Sequence, residues 1–190
     1  MSTIPTLFVP AAYGGQWRYS PTLRPGLEWV AKHGMAQRRY DGISMRYTGG
    51  CWMQWQAWPG GYGPAPSGWL VERDAPRGEK AYGWAPIQPG TTVARWVVEA
   101  VGDARLARIG TYELCGPGIH FNPEGFARPR LIYHGDAEVL DGVPTDLEAL
   151  GRWFARRWGT CSGVIWKHRG NLRQFAKVNP ADIPPALVRA

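Results

Sequence analysis

No stretch of the chain approaches the roughly 20 uninterrupted apolar residues of a membrane helix. The opening segment, Met1 to Tyr13, carries no basic region followed by an apolar one, so no secretory leader and no membrane partner are expected. Cysteine is scarce. Cys51, Cys115 and Cys161 form an odd, scattered set without C-x-x-C spacing. That argues against a disulfide framework and a structural zinc site, and suits a cytoplasmic protein. All three are expected to be buried small hydrophobes. There is no internal repeat and no low-complexity tract. Acidic residues are outnumbered, 15 against 22 Lys and Arg, for a net charge of +7. The excess favours polyanionic partners such as nucleic acid or nucleotide phosphates, or simply marks a basic protein.

What is present in quantity is apolar and aromatic. Hydrophobic residues make up 44% of the 190, enough for a packed core, and 11 are tryptophan. Tryptophan is mostly core material, but it also makes stacking surfaces for bases. Ser20 to Gly26 reads as a Pro-containing lead-in. Met35 to Met45 suits a strand–turn–strand unit about Asp41-Gly42, and Gly49-Gly50 is a second turn. Cys51 to Trp58 reads as a strand with Trp52, Gln54, Gln56 and Trp58 on one face, followed by a loop from Pro59 to Gly68. A short helix is expected over Thr91 to Val101, apolar at Val93, Trp96, Val97 and Ala100.

Gly110 to Cys115, Leu131 to His134 and Ala137 to Leu140 read as strands. Thr145 to Trp158 reads as a helix, with Thr145 and Glu148 as a capping box and Leu147, Leu150, Phe154 and Trp158 at helical spacing. Gly163 to Lys167 and Arg173 to Val178 pair as a hairpin. Mixed strands with few helices predict an α+β domain of mainly antiparallel sheets.

Four segments stand in an ordered series: Arg39-Tyr40-Asp41-Gly42, Gly110 to Pro117 with Glu113 at its centre, Ser162-Gly163-Val164-Ile165-Trp166, and Phe175-Ala176-Lys177-Val178-Asn179. Together they resemble the motif ladder of the covalent nucleotidyltransferases: K-x-D-G, a strand bearing a glutamate, E-G-x-V, and K-x-K. With Asn122-Pro123-Glu124-Gly125, the spelling is similar to that of a small ATP-dependent RNA ligase family. The similarity runs from about Leu27 to Ile183. It implies an ATP-grasp-like ligase adenylation fold with a few flanking helices, occupying 1–190 as one domain without a separate C-terminal domain.

In that family a lysine amine attacks the α-phosphate of ATP, expels pyrophosphate and keeps AMP. The AMP then passes to a 5′-phosphate of RNA, and a 3′-hydroxyl displaces it. A carboxylate holds Mg²⁺ or Mn²⁺, and two lysines neutralise charge that grows on the α-phosphate. The resemblance implies that Asp41 organises the surroundings of the nucleophile, with Gly42 serving backbone geometry, and that Glu113 faces the nucleotide near its ribose. Lys177 would bind phosphate. Tyr112, alternating to the opposite face from Glu113, is expected in the core.

The departures are as informative. Arg39 occupies the nucleophile position, and a guanidinium is not deprotonated in proteins, though it can bind phosphate bidentately. It is otherwise a surface arginine or an engineered replacement of lysine; Lys32, seven residues upstream, is not expected to substitute. Where the family carries arginine and a carboxylate after the first motif, this chain has Gln54-Trp55-Gln56-Ala57. Ser162 replaces the metal-binding glutamate, and Asn179 replaces the second lysine. Glu124 reads as a site residue or a solvated turn, and His120 as a phosphate or metal contact or a structural histidine. Trp52 and Trp58 are a base-stacking surface or packing, Trp55 packing. Lys167, His168 and Arg169 make a basic hairpin tip.

The leading expectation is an inactive ligase-like pseudoenzyme. A former ATP cleft floored by Arg39, Asp41, Glu113 and Lys177 would bind a nucleotide, a nucleotide derivative or a nucleic-acid end, RNA before DNA. The alternatives are an active ligase and a Trp-rich protein-binding scaffold.

Overall fold

The computed structural model describes residues 4–13, 15–59, 67–73, 79–102, 107–157 and 159–188. It is α+β, with mostly antiparallel sheets and four α-helices among the described residues. The chain divides into two compact units. One is contiguous, Asp41–Asp136; the other joins Ile4–Tyr40 to Ala137–Ala190.

The contiguous unit is organised by apolar alternation in its strands. Six of them, β4 (Ile43–Tyr47), β5 (Trp52–Pro59), β6 (Leu70–Arg73), β7 (Lys80–Pro86), β8 (Gly110–Cys115) and β9 (Arg130–Tyr133), form one sheet in the order β6-β7-β5-β4-β8-β9. Each neighbouring pair is antiparallel. Helix α2 (Thr92–Val101) is capped by the Thr91 hydroxyl, which accepts from Ala94 N at 3.2 Å. Its buried Val97 joins Met45, Tyr112, Leu114 and Ile119 in the unit's core, with Val93, Trp96 and Ala100 packed against them. Those are the positions the helical spacing selects.

The split unit holds β1 (Phe8–Tyr13), β2 (Gln16–Leu23), α1 (Trp29–His33), β3 (Gly34–Arg38), α3 (Leu147–Ala155), β10 (Val164–His168), β11 (Asn171–Val178) and α4 (Pro185–Val188). β1 and β2 are a two-stranded hairpin, and β11-β10-β3 is a three-stranded antiparallel sheet. Its core gathers Leu7, Phe8, Val30, Leu150, Phe154, Val164, Trp166 and Val178.

Several expectations need correction. The strands on either side of Asp41-Gly42 exist, but β3 and β4 enter different sheets, so the dipeptide closes no hairpin. Ser20 to Leu23 is the second half of β2 rather than a lead-in. Ala137 to Leu140 is not a strand: Val139 makes one isolated bridge to Gln37, beside bonds from Arg38 N to Glu138 O and from Leu140 N to Ala36 O. Cys115 and Cys161 are buried as expected, whereas Cys51 is exposed at the turn before β5. The loop after Pro59 lies largely outside the described residues, as does Trp158.

The start of α3 is corrected by one residue. Asp146, not Thr145, is the cap: its carboxylate accepts from Ala149 N at 2.8 Å. Glu148 reaches forward to Arg152 at 2.5 Å instead of back to the cap. A charged acceptor over the first turn also suits the helix dipole, which a hydroxyl serves less well. Asp146→Ala is expected to cost about 1 kcal/mol and Thr145→Ala close to nothing, read from thermal unfolding. The reverse order would restore the Thr145 cap.

Candidate functional site

Arg39 and Lys177 lie in the split unit. Arg39 follows β3, where its backbone N–H donates to Gly163 O at 2.9 Å. Its guanidinium donates through Nη1 to Ser162 O at 3.2 Å. The motif's serine therefore meets Arg39 through its main-chain carbonyl. Gly163 allows this approach: its φ is +152°, and a Cβ there would fall 2.6 Å from Val178 O and 3.3 Å from Arg39 Cδ. Only glycine meets both demands without displacing its neighbours.

Lys177 sits in β11 opposite Ile165 and is tied to the N-terminal segment on its other edge. Its N–H donates to Pro5 O and its carbonyl accepts from Leu7 N, both at 2.9 Å. Burial holds its amine below the usual lysine range, and the nearby Arg39 charge lowers it further, against the pull of Asp182. The two cations are thus half-buried and near enough for the Arg39 charge to oppose that of Lys177, with Asp182 acting the other way. An anion placed there relieves that repulsion and gains charge-assisted hydrogen bonds.

Asn179, where the resemblance would place a second lysine, is built into a fixed network. Its amide donates to Asp182 Oδ2 at 2.9 Å and its backbone N–H to Tyr19 Oη at 3.2 Å, while Tyr19 Oη donates to Asp182 Oδ2 at 3.1 Å. Burial is the main force raising the Tyr19 phenol well above its ordinary value, so it remains a neutral donor. Tyr19 and Asp182 were not legible as site residues, because neither belongs to the motif series and they are 163 positions apart.

The carboxylates belong to the contiguous unit, where each has internal partners. Glu124 Oε1 accepts from Asp41 N at 3.2 Å, and Asp41 Oδ1 lies 3.2 Å from His120 Nδ1. Gly42 is there for close approach, since a Cβ would fall 2.3 Å from Leu114 O. Glu113 is held by the Ser44 hydroxyl at 3.2 Å and by His134 Nε2 at 3.1 Å, with His134 Nδ1 also 3.0 Å from Thr111 Oγ1. Ser44 faces Glu113 directly across the β4–β8 register. His134 follows β9, and nothing in the sequence singled out either residue. Tyr112, on the opposite face, is in the core as expected.

Trp52 packs against Tyr47 and Tyr112, with ring centroids 4.8 and 5.1 Å away. Trp58 meets Trp69 edge-on at 5.5 Å, and Trp55 meets Trp84 at 5.1 Å. These contacts give each ring a packing role. Among the described residues no three His, Cys, Asp or Glu side chains gather as a metal-holding group. The Ser162 hydroxyl is a poor substitute for a carboxylate toward Mg²⁺ or Mn²⁺. No protein family model matches the chain, and no curated protein matches it.

Proposed function

We propose that this is a ligase-like nucleotide-binding protein of nucleotidyltransferase fold, in which Arg39 and Lys177 bind a phosphate without forming a bond to it. The observation that carries this reading is the pair of cations in one half-buried neighbourhood, one of them a lysine whose amine is already lowered by burial and by its partner. Arg39 contributes a fork of donors and no nucleophile. The replacements at Ser162 and Asn179 fit the same picture, since covalent transfer needs the metal and the second lysine together. The phosphate belongs to a nucleotide, a nucleotide derivative or the end of an RNA.

The first test is the intact mass after incubation with ATP and Mg²⁺ or Mn²⁺, which is expected to be unchanged. Addition of one AMP would sink the reading, because another residue would then act as nucleophile. The second is calorimetric titration with AMP. Saturable binding is expected, weakened on the order of tenfold or more by Arg39→Ala, in keeping with the loss of a charged hydrogen bond. The sign of the pH dependence follows from Lys177. Only its ammonium form attracts phosphate, so affinity is expected to fall as pH rises through its lowered pKa, and to do so below the ordinary lysine range.

A further inference from the structure

A cavity of about 470 Å³ in the split unit is lined by Pro10, Trp17, Arg18 and Tyr19 of the β1–β2 hairpin with Thr6 and Asp182. Its volume lies within the roughly 300–1,000 Å³ of small-molecule sites. It adjoins the strand that carries Lys177 through residues of its wall. Thr6 is the bridge partner of Lys177. Tyr19 and Asp182, both in its wall, bond Asn179, two positions beyond Lys177.

The wall chemistry is one-sided. Pro10 and Trp17 contribute apolar rings, while Tyr19 is buried and packs on Phe8 with ring centroids 6.0 Å apart. The Tyr19 hydroxyl is committed to Asp182 and Asn179, which fixes its ring in place. Trp17 is 70% exposed, an unusual placement for so large an apolar surface. The Arg18 side chain is held within the hairpin, Nη1 donating to Trp17 O at 3.0 Å and Nη2 to Gln16 Oε1. An indole so exposed in the wall of a cavity is a stacking surface for a planar group.

We propose that this hairpin cavity holds the aromatic ring of the phosphorylated ligand, with Trp17 as its stacking face and Arg39 and Lys177 on its phosphate. This rests on the preceding assignment of the phosphate, and it adds that the ligand carries a planar ring and that the hairpin selects for it. Trp17 is a specificity-determining residue that none of the four motifs contains.

The test compares AMP with ribose 5-phosphate, which keeps the phosphate and lacks the ring, by calorimetry on the full chain. AMP is expected to bind at least about tenfold more tightly, in line with stacking of one base. Trp17→Ala is expected to erase that difference while leaving ribose 5-phosphate unaffected, and Trp17→Phe to restore part of it. The exposure of Trp17 lets both variants fold, which equal thermal midpoints would verify. Equal affinity for the two ligands, or an AMP preference that survives Trp17→Ala, overturns the ring site and leaves the phosphate assignment standing. Binding of neither ligand overturns both.

Discussion

Trp166→Ala is expected to destabilise the split unit by about 3–5 kcal/mol, the range for removing a large aromatic from a packed core. Trp166 is 2% exposed and occupies the central strand of the three-stranded sheet. Its cross-strand partners are Ala176 on β11 and Ala36 on β3. Small residues on both sides make room for the indole, and with the indole gone they are too short to close the gap. Gly34 contributes in the same way: a Cβ there would stand 3.0 Å from Trp166 Cδ1. Chemical denaturation followed by far-UV circular dichroism reads the loss directly. A cost below about 1 kcal/mol would mean that the sheet is not organised around this side chain, since a truncation so small in effect implies collapse of the site.

Gly163→Ala is expected to lower both stability and phosphate binding. The backbone cost alone is about 1–3 kcal/mol, because φ of +152° is a region that side-chain-bearing residues rarely adopt. The added methyl must also displace Val178 O or the Arg39 side chain. The useful comparator is Gly142, in the same unit, with φ of +64° and nothing within 4 Å of its Cβ position. Gly142→Ala should cost stability of a similar kind, about 1–2 kcal/mol, with no effect on AMP affinity. If the two variants bind AMP equally well, Gly163 matters only to the backbone and Arg39 does not depend on its approach.

The parts of the fold that were legible in advance were those whose register is local. The alternation of Cys51 to Trp58, the apolar stripe of α2 and the paired runs about Arg169-Gly170 each identify an element from its own residues, and each is present. What local pattern could not supply was the choice of partner. Asp41-Gly42 has the chemistry of a hairpin turn, yet its flanking strands are claimed by different sheets. The β1–β2 hairpin is not legible because Ser20 to Gly26, with Pro21, reads as a lead-in, and Pro10 stands in the partner strand. In a two-stranded ribbon every strand is an edge, and a proline without an N–H to donate is tolerated there. At the site, motif order groups Arg39 and Lys177 with Asp41 and Glu113 as the floor of one cleft. It could not identify Tyr19, 160 positions from Asn179, or Asp182, three positions beyond it, nor Ser44 and His134, whose hold on Glu113 depends on register between strands.

The order in which the two units are written along the chain has a consequence during synthesis. Residues 41–136 are contiguous, so every contact within that unit can form as soon as its last strand leaves the ribosome. The split unit must wait. β3 is made early, but its partner β10 and the third strand β11 arrive only after the whole intervening unit, and the Arg39 bond to Ser162 spans 123 positions. The extra closure entropy is modest, growing only with the logarithm of the excursion. The delay in time is not, because β3 must remain unpaired until β10 has been made. On the proposed reading, phosphate binding becomes possible only after β11 has been made, and a product terminated before β11 would contain Arg39 without Lys177.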